Sequence, residues 1–337
     1  MSRCILAAVR PFPLDDALLL FDRERGVNLL LDGPELVGLR QEAPRSVQFG
    51  ITNLCNLACR FCSRDLTAAS GWTSEDAFEL LAQLARAGVL EVAFGGGEPF
   101  AFRGFTDLVA RLHDETPLAV HVTSNGLLLD ATRVAALRGK LGELRLSIYD
   151  DNDWRRTVGL MAVAGMRFGV NLLVLPERLP GLEVLVLELV ERGCRDVLLL
   201  SYNGLDRAQH LSPSQSADLT RRVGLLHHAL APGVRLGLDV CWGERLAGVP
   251  RWPDRADCGA GRDFVVISSD RHLMACSFHH LRIPIRTADD VLRRWRDDRA
   301  ALGAASTLPG CARAPGFGLE PPHESPRLDR VRLQQQR

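Results

Sequence analysis

The chain has 337 residues, 46% of them hydrophobic, and its 41 basic side chains balance 41 acidic ones. This length suits one larger domain with an appendage, and the neutral balance excludes a global electrostatic pull toward nucleic acid or an anionic membrane. No apolar run approaches the roughly 20 residues that span a bilayer, and nine cysteines in so long a chain do not form the framework of a small secreted protein.

Pro11, Pro13, Asp15 and Asp16 follow the short N-terminal apolar patch too soon for a signal peptide. A reducing cytoplasm is the expected home. Lys140 is the only lysine, and the arginines are spread along the chain as solvated surface.

The first 45 residues read as a hairpin that covers the edge of a larger domain, with strands over 17–22 and 26–31 joined by the charged turn Arg23-Glu24-Arg25. From 46 to 205, strand patterns at 46–52, 91–95, 119–124, 143–149, 167–175 and 196–202 alternate with amphipathic helices. The helices are expected over 74–87, 105–113, 130–138, 153–164 and 182–192, the first capped by Ser74 with Ala77 and Phe78 inward. Such alternation builds parallel βαβ units. Six of them make an α/β fold, a partial, TIM-like (β/α)6 barrel, in which function gathers in loops at the C-terminal ends of the strands.

A bridging segment over 206–257 holds a helix near 214–230 and a strand at 234–240. A small β-hairpin and helix domain occupies 258–312, and the Pro- and Arg-rich tail over 313–337 is expected to lack fixed structure.

Chemistry concentrates in Thr52-Asn53-Leu54-Cys55-Asn56-Leu57-Ala58-Cys59-Arg60-Phe61-Cys62, at the end of the first barrel strand. Cys55, Cys59 and Cys62 offer three thiolates from one tight loop. A cubane iron–sulfur cluster takes four ligands, so three would leave one iron open to a group that is not protein. A structural zinc site is the alternative. It closes with four ligands, and no Cys or His follows within the next thirty residues to complete one.

The second strand breaks into Gly95-Gly96-Gly97-Glu98-Pro99. Glycine lets backbone approach a ligand closely, and Pro99 fixes the turn after Glu98. Alone, this is as consistent with an ordinary strand-to-helix turn as with a site.

Together the two motifs resemble the radical S-adenosylmethionine (SAM) enzymes, whose cluster motif is Cys-x-x-x-Cys-x-x-Cys with an aromatic residue before the third cysteine, here Phe61. The resemblance covers about 46–205. It implies that Cys55, Cys59 and Cys62 hold a [4Fe–4S] cluster whose open iron is chelated by SAM, and that Gly96, Gly97, Glu98 and Pro99 hold the SAM amino group. Ser124 and Asn125 on the third strand, Ser147 on the fourth and Asn171 on the fifth match further SAM-contacting positions, the alternative for each being a polar residue that satisfies local backbone. It also implies reductive cleavage of SAM to methionine and a 5′-deoxyadenosyl radical, fed by a donor such as flavodoxin or ferredoxin. The cofactor carries the difficult chemistry and the protein positions it.

Two features depart from the family. Many relatives carry an Arg-Gly pair before the helix that follows the fourth strand, whereas here Trp154-Arg155-Arg156 leads straight in. Some peptide-modifying relatives begin with a winged-helix recognition module about twice as long as the present first 45 residues, too long to fit here.

The segment from Cys258 to Cys276 resembles the start of a SPASM or twitch extension, in which a hairpin brings two cysteines together for an auxiliary [4Fe–4S] cluster. Cys311 adds a third thiolate, and Cys241, His279 and His280 are candidates for the fourth ligand, a buried structural cysteine being the alternative for Cys241. Cys4 and Cys194 are expected to be inert. Three function classes follow: hydrogen abstraction from a ribosomally made peptide during its maturation, radical modification or dehydrogenation of a small metabolite, and a non-catalytic metal-stabilised protein.

Overall fold

The computed structural model describes residues 9–64, 67–246, 249 and 258–313. The expectations for Cys4 and for the tail lie outside the described residues.

Seven parallel strands form the body, in spatial order β10-β9-β8-β7-β6-β5-β4. They are β4 (Ser46–Thr52), β5 (Glu91–Gly96), β6 (Ala119–Ser124), β7 (Glu143–Ser147), β8 (Phe168–Leu173), β9 (Asp196–Leu200) and β10 (Arg235–Leu238). Between them run α1 (Ser74–Arg86), α2 (Phe105–Glu115), α3 (Ala131–Leu137), α4 (Trp154–Val163), α5 (Leu182–Glu191) and α6 (Pro213–Ala229). The six expected strands and five helices are all present. The strand expected in the bridging segment is β10, which adds a seventh parallel strand beside β9.

Period-two alternation explains why the sheet has two unlike faces. Val47, Phe49, Ile51, Val92, Phe94, Val120, Val122, Leu144, Leu146, Val170, Leu172, Val197 and Leu199 are buried in one apolar core with the helices. The intervening positions of β5, β6, β7 and β9 carry Glu91, His121, Glu143, Arg145 and Asp196 on the other face. There His121 lies 3.7 Å from Glu91, and Arg145 bridges Glu143 at 2.8 Å and Asp196 at 2.9 Å. Arg235 of β10 ends the row on Asp196.

The cap of α1 is Thr73 rather than Ser74, its hydroxyl accepting from Asp76 N at 3.1 Å. Ser74 is the first helical residue. Ala77 is fully buried and Phe78 is half-buried beneath the guanidinium of Arg111.

The N-terminal segment is a three-stranded antiparallel sheet rather than a hairpin, with β1 (Val9–Leu14), β2 (Ala17–Asp22) and β3 (Val27–Asp32) in that order. The missed strand is β1. Pro11 and Pro13 mark it as a non-strand by rule, yet proline is tolerated on an edge, where its missing N–H breaks no ladder. Phe12, Leu14, Leu19 and Phe21 pack on Leu90 and Ala119, so the sheet sits at the N-terminal end of the barrel, away from the cysteine loop. Arg10 donates to Val89 O and Ala85 O, and Arg23 to His113 O, Thr116 O and Leu118 O, satisfying carbonyls at the ends of α1 and α2.

The C-terminal segment contains β11 (Phe264–Ile267), β12 (His272–Met274), β13 (Ile283–Pro284), α7 (Ala288–Asp297) and α8 (Arg299–Leu302). The expected hairpin is β11-β12, but it is continuous with the barrel, because β11 pairs in parallel with β4 from Phe264↔Ser46 to Ile267↔Phe49. Trp72 adds a second link, its indole N–H donating to Ser268 O at 2.9 Å. Among the described residues no helix is long and apolar enough to cross a membrane.

Candidate active site

The cysteine loop leaves the top of β4 and is tied back to it by two hydroxyls. Ser70 Oγ lies 3.2 Å from Thr52 Oγ1 and accepts from Asn53 N at 2.9 Å, while Thr52 Oγ1 accepts from Leu54 N at 3.0 Å. The glycine loop at the end of β5 is laced beneath it, Gly97 N donating to Thr52 O at 2.7 Å and Glu98 N to Leu54 O at 2.8 Å.

This lacing gives two of the glycines a structural role as well. A β-carbon on Gly96 would stand 2.5 Å from Thr52 O, and one on Gly97 2.1 Å from Leu54 O. The close approach they permit is therefore to the cysteine loop's own backbone. Gly95 has nothing within 4 Å of its β-carbon position and leaves the cavity open.

Glu98 is buried, and its carboxylate accepts from Phe100 N at 3.2 Å, Ser124 Oγ at 2.8 Å and Asn125 N at 2.8 Å. Burial raises its pKa despite these bonds. Asn125 extends the seam to the cysteine loop, its amide donating to Asn56 Oδ1 at 2.7 Å and lying 3.9 Å from Cys55 Sγ.

A cavity of about 240 Å³ opens between these loops, lined by Cys55, Cys59, Cys62, Phe61, Arg64, Gly95 to Glu98, Ser124, Asn125, Ser147 and Tyr149. Six of the seven residues expected at the cluster and the SAM amino group share this wall, with Phe61, Ser124, Asn125 and Ser147; Pro99 begins a buried turn behind Glu98 instead. Asn171 also stands apart, its Oδ1 accepting from Arg145 at 3.3 Å. Arg155 and Arg156 point elsewhere, to Glu188 and to Leu129 O.

Tyr149 in the lining and Asn152 behind it are not singled out by the sequence. Tyr149 packs against Phe61 with ring centroids 5.2 Å apart, and burial pushes its phenol up to about 12. Behind it, the buried Asn152 donates to Asn125 O and Ser147 O, both at 2.7 Å, and accepts from Tyr149 N at 3.0 Å. The run Asp150-Asp151-Asn152-Asp153 reads as a solvated turn, and nothing in it signals that one of its amides is turned inward.

Burial raises the Cys55 and Cys59 thiols, with Glu98 and Cys62 pushing Cys55 further and Cys62 and Cys55 pushing Cys59. A cation in the cavity would favour the thiolate forms of both. Among the described residues no three His, Cys, Asp or Glu side chains close on one point as the ligands of a single metal ion do. Three thiols from one loop suit an iron–sulfur cluster that keeps one iron for a ligand outside the protein.

A second group of cysteines lies beyond β10. Burial pushes the Cys241 thiol well up, and Asp239, Cys276 and Cys258 add to the effect. Burial likewise raises Cys276, with Cys258 and Cys311 adding. The four therefore feel one another across one region, Cys258 and Cys276 at the same end of the β11-β12 hairpin and Cys311 accepting from Ser306 N at 3.3 Å. His279 accepts from Leu281 N at 3.1 Å through Nδ1 and stacks on His280 at 4.6 Å. Cys194 is buried, its thiol pushed to about 11 by burial and donating to Asp196 O at 3.2 Å.

Residues 49–155 match the profile of the radical SAM superfamily. This segment is a radical SAM domain. The PqqA peptide cyclase of Rhodopseudomonas palustris is 36% identical over 97 residues, covering 28% of this chain and 26% of that protein. A probable GTP 3′,8-cyclase of Methanocella arvoryzae is 35% identical over 108 residues, 31% of this chain and 34% of the relative. The chain thus matches about a quarter to a third of the length of these curated relatives.

Among solved structures, SuiB of Streptococcus suis with bound S-adenosylmethionine superposes with a TM-score of 0.68 over 88% of this chain and 90% of that one, at 14% identity. The enzyme anSMEcpe with bound AdoMet gives 0.58 over 75% and 77%, at 16% identity. At such identities the likeness establishes the fold. It extends the shared fold beyond residue 155, through most of the chain.

Proposed function

We propose that this chain is a radical SAM enzyme that abstracts hydrogen from a peptide during its maturation. The observation that carries the reading is the single cavity in which three thiols of one loop meet the Glu98 seam. Cys55, Cys59 and Cys62 would hold the [4Fe–4S] cluster, leaving one iron for SAM. When bound, the pair supplies one-electron reductive cleavage of SAM to methionine and a 5′-deoxyadenosyl radical.

The chain's own residues bind and orient. Gly95 to Gly97 present backbone without side chains, and Glu98, with acceptor capacity beyond its three bonds, offers negative charge to the SAM ammonium. Ser124 and Asn125 fix that carboxylate. Ser147 offers a hydroxyl to the SAM carboxylate or ribose, and the Phe61–Tyr149 wall excludes water on the flank. Pro99 and Asn171 would act from behind, by fixing a turn and by holding Arg145.

A peptide substrate is supported by the PqqA peptide cyclase match and by the likeness to SuiB, one of whose structures contains the precursor peptide SuiA. The GTP 3′,8-cyclase relatives favour the second reading, a small-molecule substrate. We further propose that Cys241, Cys258, Cys276 and Cys311 hold an auxiliary cluster, Cys241 being the fourth thiol of the same group. A flavodoxin or ferredoxin would supply electrons.

The test is anaerobic reconstitution with iron, sulfide, SAM and reductant. Formation of 5′-deoxyadenosine by the wild type, and its loss when Cys55, Cys59 and Cys62 are replaced by Ala, is the expected result. Undiminished cleavage in the triple variant would refute the assignment. Mass spectrometry of peptides encoded beside the gene, against cell metabolites, separates the two substrate classes.

A further inference from the structure

The radical SAM chemistry leaves the outer strand of the N-terminal sheet unexplained. All six residues of β3, Val27-Asn28-Leu29-Leu30-Leu31-Asp32, are exposed, with Val27 at 51%, Leu29 at 53%, Leu30 at 39% and Leu31 at 37%. Among the described residues it pairs with β2 on one side only, and its other edge has no strand partner. Proteins blunt such edges with lysine, proline or a bulge. Here the strand carries one charge, Asp32, at its end. The opposite edge is blunted, because β1 carries Pro11 and Pro13.

We propose that two copies of this chain pair through β3, antiparallel about a two-fold axis, to give one six-stranded sheet. Geometry limits the register. In a symmetric antiparallel pair the axis is perpendicular to the sheet, so one residue faces its own copy and side chains keep their face.

Centring on Leu29 sets Val27 opposite Leu31 and Asn28 opposite Leu30, which uses the apolar length of the strand. Centring on Leu30 sets Asn28 opposite Asp32 and leaves Val27 beyond the strand. The first register also places Asp32 of the second copy opposite Gly26. The Arg167 guanidinium lies there, within 2.5 Å of where a β-carbon on Gly26 would stand. Arg167 is exposed, donates to Arg25 O at 3.4 Å and has no ion pair among the described residues. The pairing therefore joins Asp32 to an unpaired cation twice, once at each end. The prolines of β1 stop further addition, so assembly ends at two copies rather than a fibre.

Sedimentation of the full chain over a range of concentrations, with light scattering, tests the proposal. The wild type should show a concentration-dependent monomer–dimer equilibrium. Leu29→Lys sets two ammonium groups face to face on the axis and should raise the dimer Kd by roughly tenfold or more, with an unchanged melting temperature at concentrations where the wild type is monomeric, because Leu29 is exposed in one copy. Asp32→Lys should weaken the dimer, and adding Arg167→Asp should recover it. A wild type that is monomeric throughout, or a dimer indifferent to Leu29→Lys, would overturn the pairing; charge reversal without recovery would overturn the register. An apolar peptide that occupies β3 in place of a second copy would give the first of these results.

Discussion

At the residue scale, two glycines of one loop, Gly95 and Gly97, separate stability from binding. Gly97 cannot accept a methyl, since its β-carbon would stand 2.1 Å from Leu54 O and 2.6 Å from Leu54 C, both backbone atoms. Gly97→Ala should cost about 3 kcal/mol, the upper range of overpacking, and should displace the cysteine loop. Gly95 has room, so Gly95→Ala should leave the melting temperature unchanged and lower SAM affinity by narrowing the cavity. Thermal unfolding and titration of the reconstituted protein with SAM check both; equal effects at the two positions would contradict the lacing. Glu98 combines the two roles. Glu98→Ala leaves Asn125 N and Ser124 Oγ without their acceptor, so the fold should lose roughly 1–3 kcal/mol and SAM binding about 1.5–3 kcal/mol, as for hydrogen bonds to a charged group. A SAM affinity equal to that of the wild type would remove Glu98 from the binding site.

At the scale of elements, the ionic row across β5 to β10 decides how the barrel responds to acid. Burial works to raise the Asp196 carboxyl, but the bonds from Arg235 and Arg145 outweigh it and hold the pKa below its ordinary value. A carboxylate depressed in the folded state adds stability that is present above its unfolded pKa and is lost as pH falls through the folded one. Asp196→Asn should therefore cost about 3 kcal/mol at neutral pH, the scale of breaking a buried pair. The gap from wild type should close as pH falls below about 4. Glu143 works the other way, its carboxyl raised first by burial and then by Asp196, so replacing it with Gln should not reproduce that profile. Denaturant unfolding at a series of pH values measures both.

The same elements show where a sequence is readable. Strands β4 to β9 were legible because their apolar positions alternate and are bounded by turns, and the cysteine and glycine loops because their residue types occur for few other reasons. β1 was hidden by prolines whose cost vanishes on an edge. Asn152 was hidden because burial of one amide in a polar turn is a tertiary fact, and Tyr149 because the strand ends at Ser147, turning the ring onto Phe61. The glycines were legible as a place of close approach, but only the fold shows that the loop from β4 crosses there and is one of the things approached.

For the whole molecule, the question is whether two metal centres share one body. The β11-β12 hairpin is hydrogen-bonded to β4, the strand that launches the cysteine loop, through four residue pairs. A change at Cys258 or Cys276 therefore acts on a segment continuous with the barrel, yet distinct from the cavity of Cys55, Cys59 and Cys62. If each thiol group holds a four-iron cluster, anaerobically reconstituted wild type should bind about eight irons, and the variant with Cys258 and Cys276 replaced by Ala about four. That variant should still form 5′-deoxyadenosine, because the SAM cavity is intact, but should not complete product, because the second centre would serve electron transfer or substrate contact. The Cys55, Cys59, Cys62 triple variant should show the reverse, keeping about four irons and losing SAM cleavage. Four irons in the wild type, unchanged when Cys258 and Cys276 are removed, would mark the second group as structural thiols of the hairpin and leave one cluster to do the chemistry.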